Sequence, residues 1–147
     1  MNQLPKEVVR FLDGEQLLQK QHDAMHFITV GESGYPYKAM LSIGEVLCID
    51  PDKLRIGLWP QTTTAKNAVR TQKATLLLVL APLAYDIQLE LESFEQRQDM
   101  IIIDAVVKQV KVDQAPYAHL TSGVRYQLND PEASIMNWIE KLTLLKN

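Results

Sequence analysis

Between Tyr85 and Phe94 the side chains alternate without a break. Ile87, Leu89 and Leu91 fall on one side, and Asp86, Gln88, Glu90 and Glu92 on the other. A period of two marks a strand with one dry face and one wet face, the arrangement typical of antiparallel sheets. Ala74–Ala81 precedes it as an apolar run, read as a central strand. Met100–Val112 follows it as a long apolar strand carrying Lys108 and Lys111 in its second half. The links between these three runs are too short for crossover helices, so the strands must follow one another antiparallel.

The same reading extends upstream. Met25–Val30 is a run of β-formers, and Gly31-Glu32-Ser33-Gly34 is a turn cluster. Tyr35–Ile49 reads as a second strand interrupted near Gly44. Asp50-Pro51-Asp52-Lys53 is a turn, because Asp bonds its own backbone and Pro presets φ. Leu54–Trp59 is a third strand, so residues 25–59 read as a β-meander. The first 22 residues read as helical, with Pro5 at a first helical position and a break at Asp13-Gly14. Thr62–Arg70 is a short helix. Residues 113–127 are irregular, and a last helix starts with Asp130 as cap and Pro131 in its first turn. Its apolar stripe is Ile135, Met136, Ile139 and Leu142.

Six or so consecutive strands must close or stack to cover their edges. A small barrel is the architecture expected, and a flat sheet covered by helices is the alternative. The 147 residues form one domain, 1–147. Fifteen basic against eighteen acidic residues leave a net charge of -3, without the basic excess of a nucleic-acid or membrane-surface protein. The single cysteine, Cys48, excludes an internal disulfide and a cysteine-based zinc cluster and fits a reducing compartment. The opening residues lack the basic and apolar regions of a signal peptide. The longest apolar run, Leu76–Ala84, contains Pro82 and is too short to span a bilayer. The expectation is a soluble cytoplasmic protein with no nucleic-acid or membrane partner.

The stretch with most chemical content runs from Leu58 to Arg70. Thr62, Thr63 and Thr64 at a helix N-terminus, with Lys66 in the first turn, make an anion site, since free N–H groups and the positive helix end favour a phosphate. Trp59 just before them offers a flat face to a ring system. The plainer alternative is that one Thr caps the helix and Lys66 is solvated. Lys38 is either a second positive charge for an anion or an edge charge that discourages aggregation. Glu90 and Glu92 share a strand face, and read as solvated surface. His22, His26 and His119 lack the spacing of a metal site. Cys48 reads as a core thiol, and Tyr117, Arg125 and Tyr126 as loop residues that border a pocket. There is no Walker loop, GxGxxG or nucleophile elbow, and no residue stands out as a general acid or base.

Taken in order, these segments resemble the pyridoxamine 5'-phosphate oxidase-like family of FMN-binding split-barrel proteins. The resemblance covers about Ala24 to Val79. It rests on Met25–Val30 leading to Gly34-Tyr35-Pro36, on the Asp50-Pro51-Asp52-Lys53-Leu54 turn, on Trp59 and the Thr62–Arg70 segment with Asn67, and on the strand Ala74–Val79. It implies a mainly β, six-stranded antiparallel split barrel of Greek-key type with peripheral helices. It also implies a homodimer holding FMN in clefts at its interface. On that model the phosphate meets Thr62, Thr64 and Lys66, Asn67 supports the helix start, and Ala39, Met40, Leu58 and Trp59 contact the ring. The family's Ser-x-Lys pattern falls on Thr62-Thr63-Thr64, so Thr62 keeps a hydroxyl while Thr64 replaces the lysine. Its second-strand arginine falls near Ala39, with Lys38 beside it. No arginine follows Arg125, whereas true pyridoxamine phosphate oxidases carry an arginine-rich C-terminal segment. The resemblance therefore implies an FMN-dependent oxidoreductase other than that enzyme, using a small-molecule electron donor or acceptor. The alternatives it leaves are a deazaflavin-using reductase, a non-catalytic flavin- or tetrapyrrole-binding or stress-related module, and a structural dimer.

Overall fold

The period-two segment extends past its alternation in the computed structural model, which describes residues 1–147. The elements in chain order are α1 (Lys6–Phe11), α2 (Leu17–Lys20), β1 (Asp23–Val30), β2 (Pro36–Leu41), β3 (Val46–Asp50) and β4 (Lys53–Leu58). After these come α3 (Thr63–Thr71), β5 (Lys73–Leu80), β6 (Leu83–Arg97), β7 (Met100–Asp113), β8 (Val124–Arg125) and α4 (Pro131–Lys146). On β6 the predicted inward residues Ile87, Leu89 and Leu91 are buried, and Glu90 and Glu92 are exposed. β6 and β7 pair from Ala84↔Asp113 to Arg97↔Met100, with two register shifts.

Every pairing is antiparallel, in the order β2-β1-β5-β6-β7-β4-β3, with β8 beside β1. β2 and β3 are consecutive in the chain, yet they form the two edges of this path. The link between them is only Ser42 to Glu45. Such a link reaches at most about 18 Å from Leu41 to Val46, whereas the edges of a flat seven-stranded sheet lie roughly 29 Å apart. The sheet must therefore curl into a barrel split between β2 and β3, which decides against the flat sheet. Glu45 fixes the link: its Oε1 accepts from the Ser42 N–H at 2.9 Å and from the Ser42 hydroxyl at 2.8 Å.

Three expectations change. Residues 25–59 are not a meander, because Tyr35–Ile49 is two strands, and β2 and β3 do not pair. The sheet has seven strands in its path plus the two-residue β8, rather than six. The apolar stripe of α4 is also rotated. Trp138, Leu142 and Leu145 face the core, while Met136 and Ile139 are exposed. The cause is Gly44, where an added Cβ would lie 2.1 Å from Trp138 Cγ. The indole seats on that bare backbone and sets the rotation of the helix.

The core fills the barrel interior with Phe27, Leu76, Ile87, Ile56 and Ile103, all fully buried. α1 covers one end, where the Tyr85 hydroxyl donates to Glu7 Oε1 at 2.8 Å. Burial and the Glu7 carboxylate push the Tyr85 phenol up to about 12. No helix is long and apolar enough to cross a membrane.

Candidate functional site

Pro60 ends β4, and α3 begins three residues later. Thr62 is its N-cap: Oγ1 accepts from the Ala65 N–H at 3.1 Å and donates to the Trp59 carbonyl at 2.9 Å. The Lys66 N–H bonds the Thr62 carbonyl at 3.1 Å. The N–H groups of Thr63 and Thr64 receive no partner from the chain, as expected for the first turn of a helix. Lys66 is exposed on this turn, and the Thr64 side chain is buried beneath it. Two free N–H groups, a positive helix end and one mobile ammonium suit an anion.

α3 is locked in place by a buried polar contact. Asn67 is 2% exposed, and its Nδ2 donates to Thr29 Oγ1 of β1 at 3.1 Å. Asn67 Oδ1 accepts from Arg70 Nη1 at 3.1 Å, and Arg70 Nη2 donates to the Val30 carbonyl. Arg70 also lies 4.0 Å from the Glu32 carboxylate. Arg70 is thus a tie between helix and strand. Thr29 and the tying role of Arg70 are absent from the sequence-level site. The available signal was Thr29 itself, a hydroxyl at an inward position of an apolar strand, where a buried polar group needs a partner.

The remaining expected residues fall in separate places. Alternation along β2 puts Tyr37, Ala39 and Leu41 opposite Thr29, Phe27 and Met25, on the inward face. Ala39 therefore shares the face against which α3 packs through Thr29. Lys38 and Met40 point to the other face, opposite Ile28 and His26, and both are exposed. Leu58 is buried and pairs with Ile101. Trp59 is exposed at 41%, with Lys141 Nζ 5.0 Å from its ring centroid, so α4 stands over one side of the indole. The fold brings Thr62, Thr64, Lys66 and Asn67 together with Ala39 and turns Lys38 and Met40 to the other face, while Trp59 stays tied to Thr62 through its carbonyl with its indole beneath Lys141.

The residues at the α3 corner fit a flavin phosphate held by the first-turn N–H groups together with Lys66, since Ala39 and Thr64 contribute no charge. No three His, Cys, Asp or Glu side chains converge as a metal site. Burial and the nearby Asp50, Asp13 and Asp52 carboxylates push the Cys48 thiol up to about 11, so it stays protonated and unreactive.

No family model matches the sequence. YclD of Bacillus subtilis (strain 168), described as uncharacterized, is 38% identical over 152 residues, covering 99% of this chain and 97% of that one. A solved structure from Lactobacillus delbrueckii, provisionally named a pyridoxamine 5'-phosphate oxidase, superposes with TM-score 0.60 at 17% identity. It covers 76% of this chain and 95% of the other. An FMN-binding protein from Syntrophomonas wolfei gives TM-score 0.56 at 12% identity, with 75% and 91% covered. The chain therefore belongs to one family with YclD, and its fold is that of the pyridoxamine 5'-phosphate oxidase-like split barrels.

Proposed function

We propose that the chain is a homodimeric flavin-binding protein that takes FMN at the α3 corner and serves as a small flavin-dependent oxidoreductase. The observation that carries this reading is the first turn of α3. Its Thr63 and Thr64 N–H groups are free, Lys66 stands beside them, and Asn67 and Thr29 anchor the helix to the barrel. The solved relative from Syntrophomonas wolfei is an FMN-binding protein on the same fold.

A bound flavin supplies the hydride and electron chemistry, and the protein supplies binding and orientation. In this reading Lys66 and the first-turn N–H groups hold the phosphate. Thr62 and Asn67 keep that turn rigid, Ala39 lets the ring approach the edge strand closely, and Leu58 and Trp59 form its apolar border. Lys38 and Met40 lie on the face through which two copies pair, and act there. The electron donor or acceptor is a small molecule. Pyridoxamine phosphate oxidation itself is not part of this reading, since residues 126–147 offer no arginine to a substrate phosphate. The lone Cys48, with no second cysteine to pair with, fits a reducing compartment.

The test is flavin uptake followed by reduction. Purified protein mixed with FMN and desalted should retain flavin absorbance, and anaerobic NADH or NADPH should then bleach it. No uptake at micromolar FMN overturns the reading. Uptake without reduction by either nucleotide leaves a passive flavin binder and removes the oxidoreductase part.

A further inference from the structure

The outer face of the sheet carries a pattern the flavin site does not use. Register places Lys38, Ile28, Thr75 and Gln88 in one row across β2, β1, β5 and β6. The next row is Met40, His26, Leu77, Asp86 and Lys111. Between its charged rims the face is apolar, with Ile28 and Val30 toward one end, Val79 toward the other, and Met40 and Leu77 in the row between them. Val30 and Met40 are each 45% exposed. Across β1, β5 and β6 at the Val30 end lies a groove of about 370 Å³ whose apolar wall includes Ile28, Val30 and Pro36, with Lys73, Glu90 and Lys108 beside it. His26 Nε2, on this face, is the one buried side-chain polar atom without a hydrogen-bond partner. An apolar stretch exposed between charged rims suits a partner surface.

At the opposite end stands an arm. Residues 114–122 join β7 to β8, and every one of them is exposed. Tyr117 is 90% exposed and Leu120 39%. The arm's own backbone makes one hydrogen bond, Ala118 N–H to the Ala115 carbonyl at 3.4 Å. Its roots lie on the apolar face. Asp113 pairs with Ala84, and Gly123 packs so closely on Val79 that an added Cβ would lie 3.0 Å from the Val79 Cβ. A tyrosine has a large apolar surface to bury, and this arm offers it nothing within its own chain.

The charges of the two ends are complementary. The groove end carries Lys38 and Lys108, neither in an ion pair, while Lys73 pairs with Glu90 at 3.7 Å. The arm end carries Asp86, also unpaired, while Lys111 pairs with Asp113 at 3.4 Å. A two-fold rotation lays the positive end of one copy on the negative end of another, as a self-complementary interface requires.

We propose that two copies pair through this face and that the arm of each, residues 114–122, lies in the groove of the other, with Tyr117 seated on Ile28, Val30 and Pro36. This rests on the dimer of the proposed function and names what the partner contributes. The same groove is lined by Thr29, whose hydroxyl anchors α3 through Asn67. The arm of one copy thus lies on the outer side of the β1 wall whose inward side anchors the other copy's α3 corner.

Paired cysteines test the placement without any flavin. Tyr117→Cys with Val30→Cys, in a Cys48→Ser background, should give a disulfide-linked dimer under mild oxidation, with neither single cysteine giving it. A link within one chain, or none, overturns the placement of the arm. Tyr117→Ala with Leu120→Ala should raise the dimer dissociation constant at least about tenfold in sedimentation velocity, with an unchanged far-ultraviolet spectrum. An unchanged dimer there also overturns the arm's role while leaving pairing and flavin binding standing. A wild-type chain that is monomeric at tens of micromolar overturns the pairing, whatever its flavin uptake shows.

Discussion

Gly44 and Gly57 both sit where a Cβ would collide, but their neighbours differ. At Gly44 the added atom meets Trp138 Cγ, Cδ1 and Cβ, all within 2.4 Å, at the root of a buried indole. At Gly57 it meets Met100 Cε at 2.1 Å, the free end of a flexible side chain. Gly44→Ala should therefore cost roughly 1–3 kcal/mol or more, and Gly57→Ala distinctly less. Chemical denaturation of both variants checks the order, and equal losses would contradict it. A second residue-scale effect concerns acid. Burial raises the Asp104 carboxyl, but the Arg55 hydrogen bond at 2.7 Å and its charge, aided by Ser93 and Lys53, hold it below the ordinary carboxylate range. A carboxyl depressed in the folded state stabilises fully above its unfolded pKa of about 3.9, and the contribution fades as pH falls through the folded value. Asp104→Asn should cost roughly 1–2 kcal/mol at pH 7, and its gap from wild type should narrow below about pH 4. A gap that widens as pH falls would contradict the assignment.

At the scale of elements, α3 separates two roles that look alike in sequence. Thr62 caps, and Lys66 faces solvent. Thr62→Ala should lower stability by about 1 kcal/mol, while Lys66→Ala should leave stability nearly unchanged. Thermal unfolding of the two variants distinguishes them, and equal destabilisation would contradict the division. The capping role was legible, since a Thr before a helical run is a local signal. The bond from Asn67 to Thr29 was not, because it joins residues 38 apart in the chain, and only the fold brings them together. The same contrast recurs among the larger elements. β6 was readable because its alternation is local. The apolar stripe of α4 was misjudged, because spacing alone favours Met136 and Ile139. The actual face is chosen by Trp138 finding a bare Gly44 on a distant turn. α4 is further held at its C-terminus by Arg55 and Arg97, which donate to the Leu145 and Leu144 carbonyls at 2.8 and 3.0 Å. Nothing in the local pattern announces either contact.

At the scale of the molecule, the closed sheet follows from a short link between strands that end on opposite edges. The position of that split depends on which strands pair, and pairing is settled by long-range contacts. Local sequence through Gly44 favours a meander, and the long-range pairing of β2 with β1 and of β3 with β4 overrides it. The local pattern gives six strands because Tyr35–Ile49 carries no clear break between β2 and β3 and the two-residue β8 has no local signal. What the whole molecule adds to the α3 corner is rigidity: a helix N-terminus pinned to a barrel wall. The flavin reading stands or falls on that corner. Equilibrium titration of wild type and Lys66→Ala with FMN and with riboflavin, followed by flavin fluorescence, tests it most directly. The account predicts that wild type prefers FMN by roughly tenfold, and that Lys66→Ala removes most of this preference while leaving riboflavin affinity unchanged. Equal affinity of wild type for the two flavins, or an undiminished FMN preference in the variant, would contradict it.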